Sequence, residues 1–144
     1  MSIKTIEFIK NVNNHFNGNV IILGGWSKYF NGYNPNYNKH WVDISITPDN
    51  VNLLSELGVV LEINGGHSWG NQIINQVTVM CGSRQDRKFL DVFIDDKISE
   101  YKIIDGLKIL TPEASIKWHE EAYEVIGEDW VKHKIEKLKY LYGM

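Results

Sequence analysis

Apolar residues recur at helical spacing through Ile3, Ile6, Ile9, Val12 and Phe16, which predicts an amphipathic opening helix over residues 3–16. Asn17-Gly18-Asn19 ends it. Residues 20–23 (VIIL) form a short continuous apolar run before Gly24-Gly25, the signature of a strand buried on both faces. Residues 26–30 read as a short helix closed by Asn31-Gly32. Residues 41–47 (WVDISIT) alternate as a half-buried strand. Pro48-Asp49 starts another helix, carrying Leu53, Leu54 and Leu57 and stopped by Gly58.

A strand over residues 59–63 is expected next, then a loop over residues 64–70 (NGGHSWG). Residues 72–81 and 88–95 are strands joined by a polar turn, so they form an antiparallel hairpin. A second hairpin is marked by Asp105-Gly106 between residues 102–104 and 107–110. Thr111-Pro112-Glu113 supplies a cap, a first-position proline and an early acid for a helix reaching about Val125. A last helix near residues 128–142 puts Val131, Ile135, Leu138 and Tyr142 on one stripe. This order predicts a mixed α/β domain, with one sheet and helices before, within and after it.

The 144 residues fit a single domain, 1–144, and neither an internal repeat nor a linker divides them. Hydrophobic residues at 43% and charged residues at 23% exclude wholesale disorder. A net charge of -3 argues against a coat for nucleic acid, though not against a small basic patch. The single Cys81 excludes an internal disulfide and a multi-cysteine zinc site, and is expected to be a packed thiol. No apolar run approaches the roughly 18 residues of a membrane span, and the N-terminus lacks a signal peptide's apolar centre. A cytoplasmic protein is expected. Plentiful Ile, Asn, Lys and Tyr beside two arginines, Arg84 and Arg87, reads as codon bias, so the run over residues 31–38 carries no functional weight. The tryptophans are mostly core candidates. His67 in its glycine-rich loop reads as solvated rather than as a substrate contact, and Lys132, Lys134, Lys137 and Lys139 give the last helix a basic, solvated face.

Two features carry candidate chemistry. Gly24-Gly25-Trp26-Ser27-Lys28 places a glycine pair between a buried strand and a helix, where a ligand can approach the backbone and Lys28 can add charge. The same spacing also suits a tight turn that binds nothing. Asp43 and Asp91 each stand in mid-strand among β-branched and aromatic neighbours, where acids are disfavoured. By alternation Asp43 shares a face with Trp41, Ser45 and Thr47, and Asp91 with Phe93 and Asp95. Two such acids on neighbouring strands would repel unless a cation lay between them, and magnesium is the natural candidate. The alternative is that both face water on an open side of the sheet.

Together these features resemble the nucleotidyltransferase superfamily, in particular its small antibiotic-nucleotidyltransferase-like and minimal nucleotidyltransferase-like branches. ILGGWSKYFNG is similar to the opening motif, KHWVDISI to the strand bearing Asp-x-Asp, and FLDVFIDD to the later strand with a third acid. ILTPEASIKWHEEAY is similar to the segment in which a hairpin leads into a helix. The resemblance spans most of the chain from about Val20, and the order and spacing of short motifs carry it. It implies an α+β, nucleotidyltransferase-like fold, with one mixed sheet flanked by helices and a C-terminal helical pair. It implies that Gly24, Gly25 and Ser27 hold a nucleoside triphosphate, with Lys28 and Lys39 as basic neighbours. Asp43 and Asp91 would be catalytic and ligate magnesium. A hydroxyl acceptor is implied (a small molecule, a tRNA or a protein), and the loop at residues 65–70 does not choose among them. Ser45 stands where the family has its second acid, and Trp41 where it commonly has a small hydroxyl residue. Two outcomes follow: a weak site that recruits Asp95 or another acid, or a catalytically inactive module that binds nucleotide or protein.

Overall fold

Ile9, Val12 and Phe16 of the first helix, α1 (Ser2–His15), are fully buried, so the opening apolar stripe is its packing face. In this computed structural model, residues 2–69, 72–95 and 100–144 are described, with side chains over 4–61, 76–95 and 100–144. Strand β1 is Ile21–Ile22, and α2 is Gly24–Phe30. Strand β2 is Trp41–Ile46, and the helix expected after it is a 3-10 helix, Pro48–Glu56. Strands β3 (Gly58–Trp69), β4 (Gln72–Cys81) and β5 (Lys88–Ile94) come next. Then come β6 (Tyr101–Ile104), β7 (Leu107–Leu110), α3 (Pro112–Ile126) and α4 (Asp129–Tyr142).

One mixed seven-stranded sheet has the order β3-β4-β5-β2-β1-β7-β6. Strand β1 pairs antiparallel with β2 and parallel with β7, while β2 and β5 are parallel. Both hairpins are antiparallel, as their turns require. Asp105 and Gly106 both take positive φ, 54° and 76°, the backbone that an Asp-Gly hairpin turn needs. Strand β3 differs from expectation, because it continues through Asn64-Gly65-Gly66 as far as Trp69. Pairing with β4 overrides the turn propensity of those residues, and register shifts after Val60 and Asn64 absorb it. The His67 side chain and Gly70 lie outside the described residues.

Alternation gives the sheet two unlike faces. Val42, Ile44, Leu90, Val92, Ile22 and Ile109 bury one face under α1 and the 3-10 helix. On the other face, among the described residues, α3 packs where Leu23, Leu110 and Ala114 meet Phe93 and Trp118. Helix α3 begins as its sequence predicts, with Thr111 Oγ1 accepting from the Ala114 N–H at 3.1 Å, and it ends at Gly127 with φ 68°. Helix α4 packs back on α3 through Val131, Ile135, Leu138 and Tyr142, completing a C-terminal helical pair. No helix among the described residues is long and apolar enough to cross a membrane. Cys81 is a packed thiol, 2% exposed, and burial pushes its pKa up to about 11.

Candidate functional site

Asp43 and Asp91 are direct register partners on the parallel strands β2 and β5. Register partners point to the same side of a sheet, so the two carboxyl groups stand together on the partly covered face. Thr78, the partner of Asp91 on β4, donates from Oγ1 to Asp91 Oδ1 at 2.8 Å. Burial first, then the neighbouring Asp91 charge, raises the Asp43 pKa from an ordinary 3.8 to about 6. Lys134 opposes that rise, and a hydrogen bond between the two carboxyl groups adds to it.

The start of α2 is fitted against these acids. The Leu23 N–H donates to the Asp43 carbonyl at 2.8 Å, and Gly24 turns with φ +57°. A side chain at Gly24 would collide with the Asp43 carboxylate, and one at Gly25 with the Tyr37 ring. The space beside both glycines is taken by side chains of the chain itself. Ser27 is buried, and its hydroxyl donates to the Gly24 carbonyl at 2.6 Å, so it closes the turn. Lys39 is exposed; its carbonyl accepts from Trp26 Nε1 at 3.1 Å.

A cavity of about 190 Å³ opens beside Asp43, with Gly24, Gly25 and Lys28 on one side. Ser115, Trp118 and His119 of α3 and Lys134 of α4 close the other. Lys28 and Lys134 thus face one carboxylate across a small space. Burial first, and then Lys134, lowers the Lys28 pKa. Through Lys28, Lys134 and Leu138 the cavity adjoins a wider groove of about 1140 Å³ along α4, which Lys137 and His133 also line. Of the candidate site residues, Ser27, Lys39 and Asp91 do not line the cavity, and Asp91 stands beside it as the register partner of Asp43.

Four contributors escaped the sequence reading. Lys134 belongs to the helix face read as solvated. Tyr37 lies in the run dismissed as filler, yet it packs edge-on against Trp26 at 5.0 Å. Burial and then the Asp43 charge raise its pKa. His119, 7% exposed, donates from Nδ1 to the Ser115 carbonyl at 2.6 Å. Burial first lowers its pKa from 6.5 to about 4, with Lys134 and Lys28 adding to the drop and the Ser115 bond opposing it. Trp118 packs edge-on against Phe93. A histidine or lysine at helical spacing carries no mark of which neighbour it will meet.

Ser45 is 3% exposed, at the register position between Ile21 and Phe93. Asp95 is buried four residues beyond Asp91, roughly 13 Å along a strand, too far for the two to share an ion. Among the described residues no group of three or more His, Cys, Asp or Glu gathers as a metal site. The in-register pair nevertheless fits magnesium, which takes one or two carboxylates and completes its shell with water and substrate phosphates. Burial is the first cause of the raised Asp43 pKa, and such a cation would relieve the second, repulsion from Asp91.

Without metal, Asp43 and His119 should pull stability in opposite directions over one pH range. Asp43 takes up its proton more readily when folded, so its contribution is complete below about 3.8 and is lost as pH rises through about 6. His119 is held neutral when folded, so its contribution is complete above about 6.5 and is lost as pH falls through about 4. In chelator, urea midpoints should rise between pH 4 and 6.5 more steeply for Asp43→Asn than for the parent. They should rise less steeply for His119→Gln. Parallel profiles for all three proteins would contradict this assignment.

No family model matches the sequence, and no curated protein matches it. Among solved structures, JHP933 from Helicobacter pylori is similar in fold, with a TM-score of 0.52 and 16% identity over 82% of this chain and 55% of that one. A second structure from H. pylori, described as a candidate nucleotidyltransferase, has a TM-score of 0.49 and 16% identity over 82% of this chain and 57% of that one. The chain therefore spans little more than half the length of either protein. The architecture is α+β, with one mixed seven-stranded sheet, flanking helices and a C-terminal helical pair, and in fold it is similar to JHP933.

Proposed function

We propose that this chain is a magnesium-assisted nucleotidyltransferase, moving a nucleoside monophosphate from a nucleoside triphosphate to a hydroxyl acceptor. The observation that carries the reading is the in-register pair Asp43 and Asp91, with Asp43 lining a cavity that Lys28 and Lys134 line from its two sides. Fixed carboxylates facing cations across a small space suit a polyanion bound through a metal. Lys28 and Lys134 draw the phosphates into the cavity, and the adjoining groove leaves room for the rest of the nucleotide. Asp91, oriented by Thr78, takes the proton of the acceptor hydroxyl. The hydroxyl oxygen then bonds to the α-phosphorus, the α–β phosphoanhydride bond breaks, and pyrophosphate leaves. Magnesium held by Asp43 and Asp91 supplies neutralisation of the phosphate charge. Gly24, Gly25 and Ser27 act here by shaping the turn that sets Asp43.

A second reading, a nucleotide- or protein-binding module without transfer, is favoured by one observation. The second acid of Asp-x-Asp is the buried hydroxyl of Ser45. Thermal unfolding at millimolar magnesium with each nucleoside triphosphate tests the nucleotide site. A ligand at 100 times its Kd stabilises by about 2.7 kcal/mol, roughly 8 °C at this chain length. A magnesium-dependent rise of that order with at least one triphosphate is expected. Flat melting with all of them would remove the nucleotide site. A rise without pyrophosphate release towards any hydroxyl acceptor would leave the binding module.

A further inference from the structure

Gly25 is a glycine that its own backbone does not demand. Its φ is not positive, unlike that of Gly24, so other residues could take the same conformation. What forbids a side chain there is the Tyr37 phenol, whose hydroxyl and ring edge hold the place of a Cβ. At the preceding residue the Asp43 carboxyl does the same. Consecutive Cα atoms lie about 3.8 Å apart, so α2 opens with a carboxyl group against one residue and a phenol against the next. The Tyr37 N–H donates to the Asn34 carbonyl at 3.1 Å, and the ring packs edge-on against Trp26, so backbone and ring are both fixed. Like Asp91, the phenol stands beside the cavity that Gly25 and Asp43 line.

Packing against Trp26 accounts for the ring, which a phenylalanine would supply as well, but not for the hydroxyl. Among the described residues the hydroxyl makes no hydrogen bond, although it lies close enough to Asp43 for that charge to act on it. Burial first and then the Asp43 charge hold the proton on the phenol, so it is available as a donor. We propose that Tyr37 is a phosphate-binding residue, its hydroxyl donating to a non-bridging oxygen of the triphosphate that enters beside Asp43. Its part differs from that of the lysines. Lys28 and Lys134 are flexible point charges that attract a polyanion from many directions. A hydroxyl fixed against Gly25 accepts far fewer orientations, so it aligns the phosphate chain beside the acids. The assignment rests on the transferase reading, and its test is made on binding so that the two can fail separately.

The test is isothermal titration calorimetry at millimolar magnesium, on the parent and Tyr37→Phe, with inorganic triphosphate and with each nucleoside triphosphate. Inorganic triphosphate reads the phosphate contacts without a base. Tyr37→Phe keeps the ring and loses only the hydroxyl. It should bind both kinds of ligand about tenfold to a hundredfold more weakly, the range for one hydrogen bond to a charged group. Its melting in chelator should stay within about 2 °C of the parent, since the hydroxyl bonds nothing among the described residues. A Tyr37→Phe variant that binds as tightly as a binding parent overturns the assignment and leaves the transferase reading standing. Weaker binding that comes only with a large drop in chelator melting makes the hydroxyl structural, and overturns the assignment too. A parent that binds no triphosphate overturns both.

Discussion

Asp43→Asn is expected to abolish nucleotidyl transfer while leaving the metal-free protein at least as stable as its parent. The two effects have one origin. The Asp43 carboxyl is held beside Asp91, with its pKa raised to about 6. Removing its charge relieves repulsion in the apo protein. It also removes one of the two anionic ligands available to magnesium, a contribution worth about 4 kcal/mol at the transition state, or some three orders of magnitude in rate. Transfer is measured as pyrophosphate release, and stability as melting in chelator. The magnesium–triphosphate melting shift should vanish with the rate. Asp43→Asn retaining activity within tenfold of the parent would show that the pair is not the metal site. Asp91→Asn should fail likewise, and there the lost proton acceptor adds to the lost ligand.

The acid pair was legible in the sequence because acids in mid-strand violate local preference, and alternation fixes the side to which they point. The hairpin at Asp105-Gly106 and the start of α3 at Thr111-Pro112 were legible for a related reason: each needs a backbone that few residues supply. Other features depend on partners far along the chain. Asn64-Gly65-Gly66 has turn composition, and only pairing with β4 keeps it in a strand. Lys134 differs from Lys132 and Lys137 in sequence by nothing that marks it as the lysine beside Asp43. That choice is made by how Val131, Ile135 and Leu138 seat α4 on α3. Tyr37 was hidden by composition, since an asparagine-rich run dictated by codon usage looks the same with or without a packed ring. Gly24 and Gly25 were legible as a strand-to-helix turn, but not which bodies approach them, Asp43 and Tyr37, which come from farther along the chain.

The largest loss of stability is expected from Trp26→Ala. Trp26 is fully buried, and its indole packs against Tyr29, Phe30 and Tyr37. Its Nε1 donates to the Lys39 carbonyl at 3.1 Å, tying α2 to the segment that enters β2. Truncation removes the aromatic volume, leaves a cavity and strips that carbonyl of its donor. Phe or Trp to Ala in a core costs about 3–5 kcal/mol, which at about 3 °C per kcal/mol is roughly 9–15 °C of Tm. Trp26→Phe keeps most of the packing and loses the N–H, so its cost should be less than half as large. Calorimetry on the three proteins checks the order. Equal melting of Trp26→Ala and the parent would contradict the placement of this ring in the core.

Strand β1 contributes only Ile21 and Ile22 to the sheet, yet it is the seam between β2 on one side and β7 on the other. Strands β7 and β6 join the rest of the sheet across that seam, Ile21 to Lys108 and Ile22 to Ile109. During vectorial synthesis the acids leave the ribosome first, on β2 and β5, and the lysine that faces them leaves last, on α4. A nascent chain therefore carries Asp43 and Asp91 well before it carries Lys134. The half-made protein is an acid pair facing Lys28 alone, and the second lysine arrives only when translation has passed Leu138 and α4 has docked.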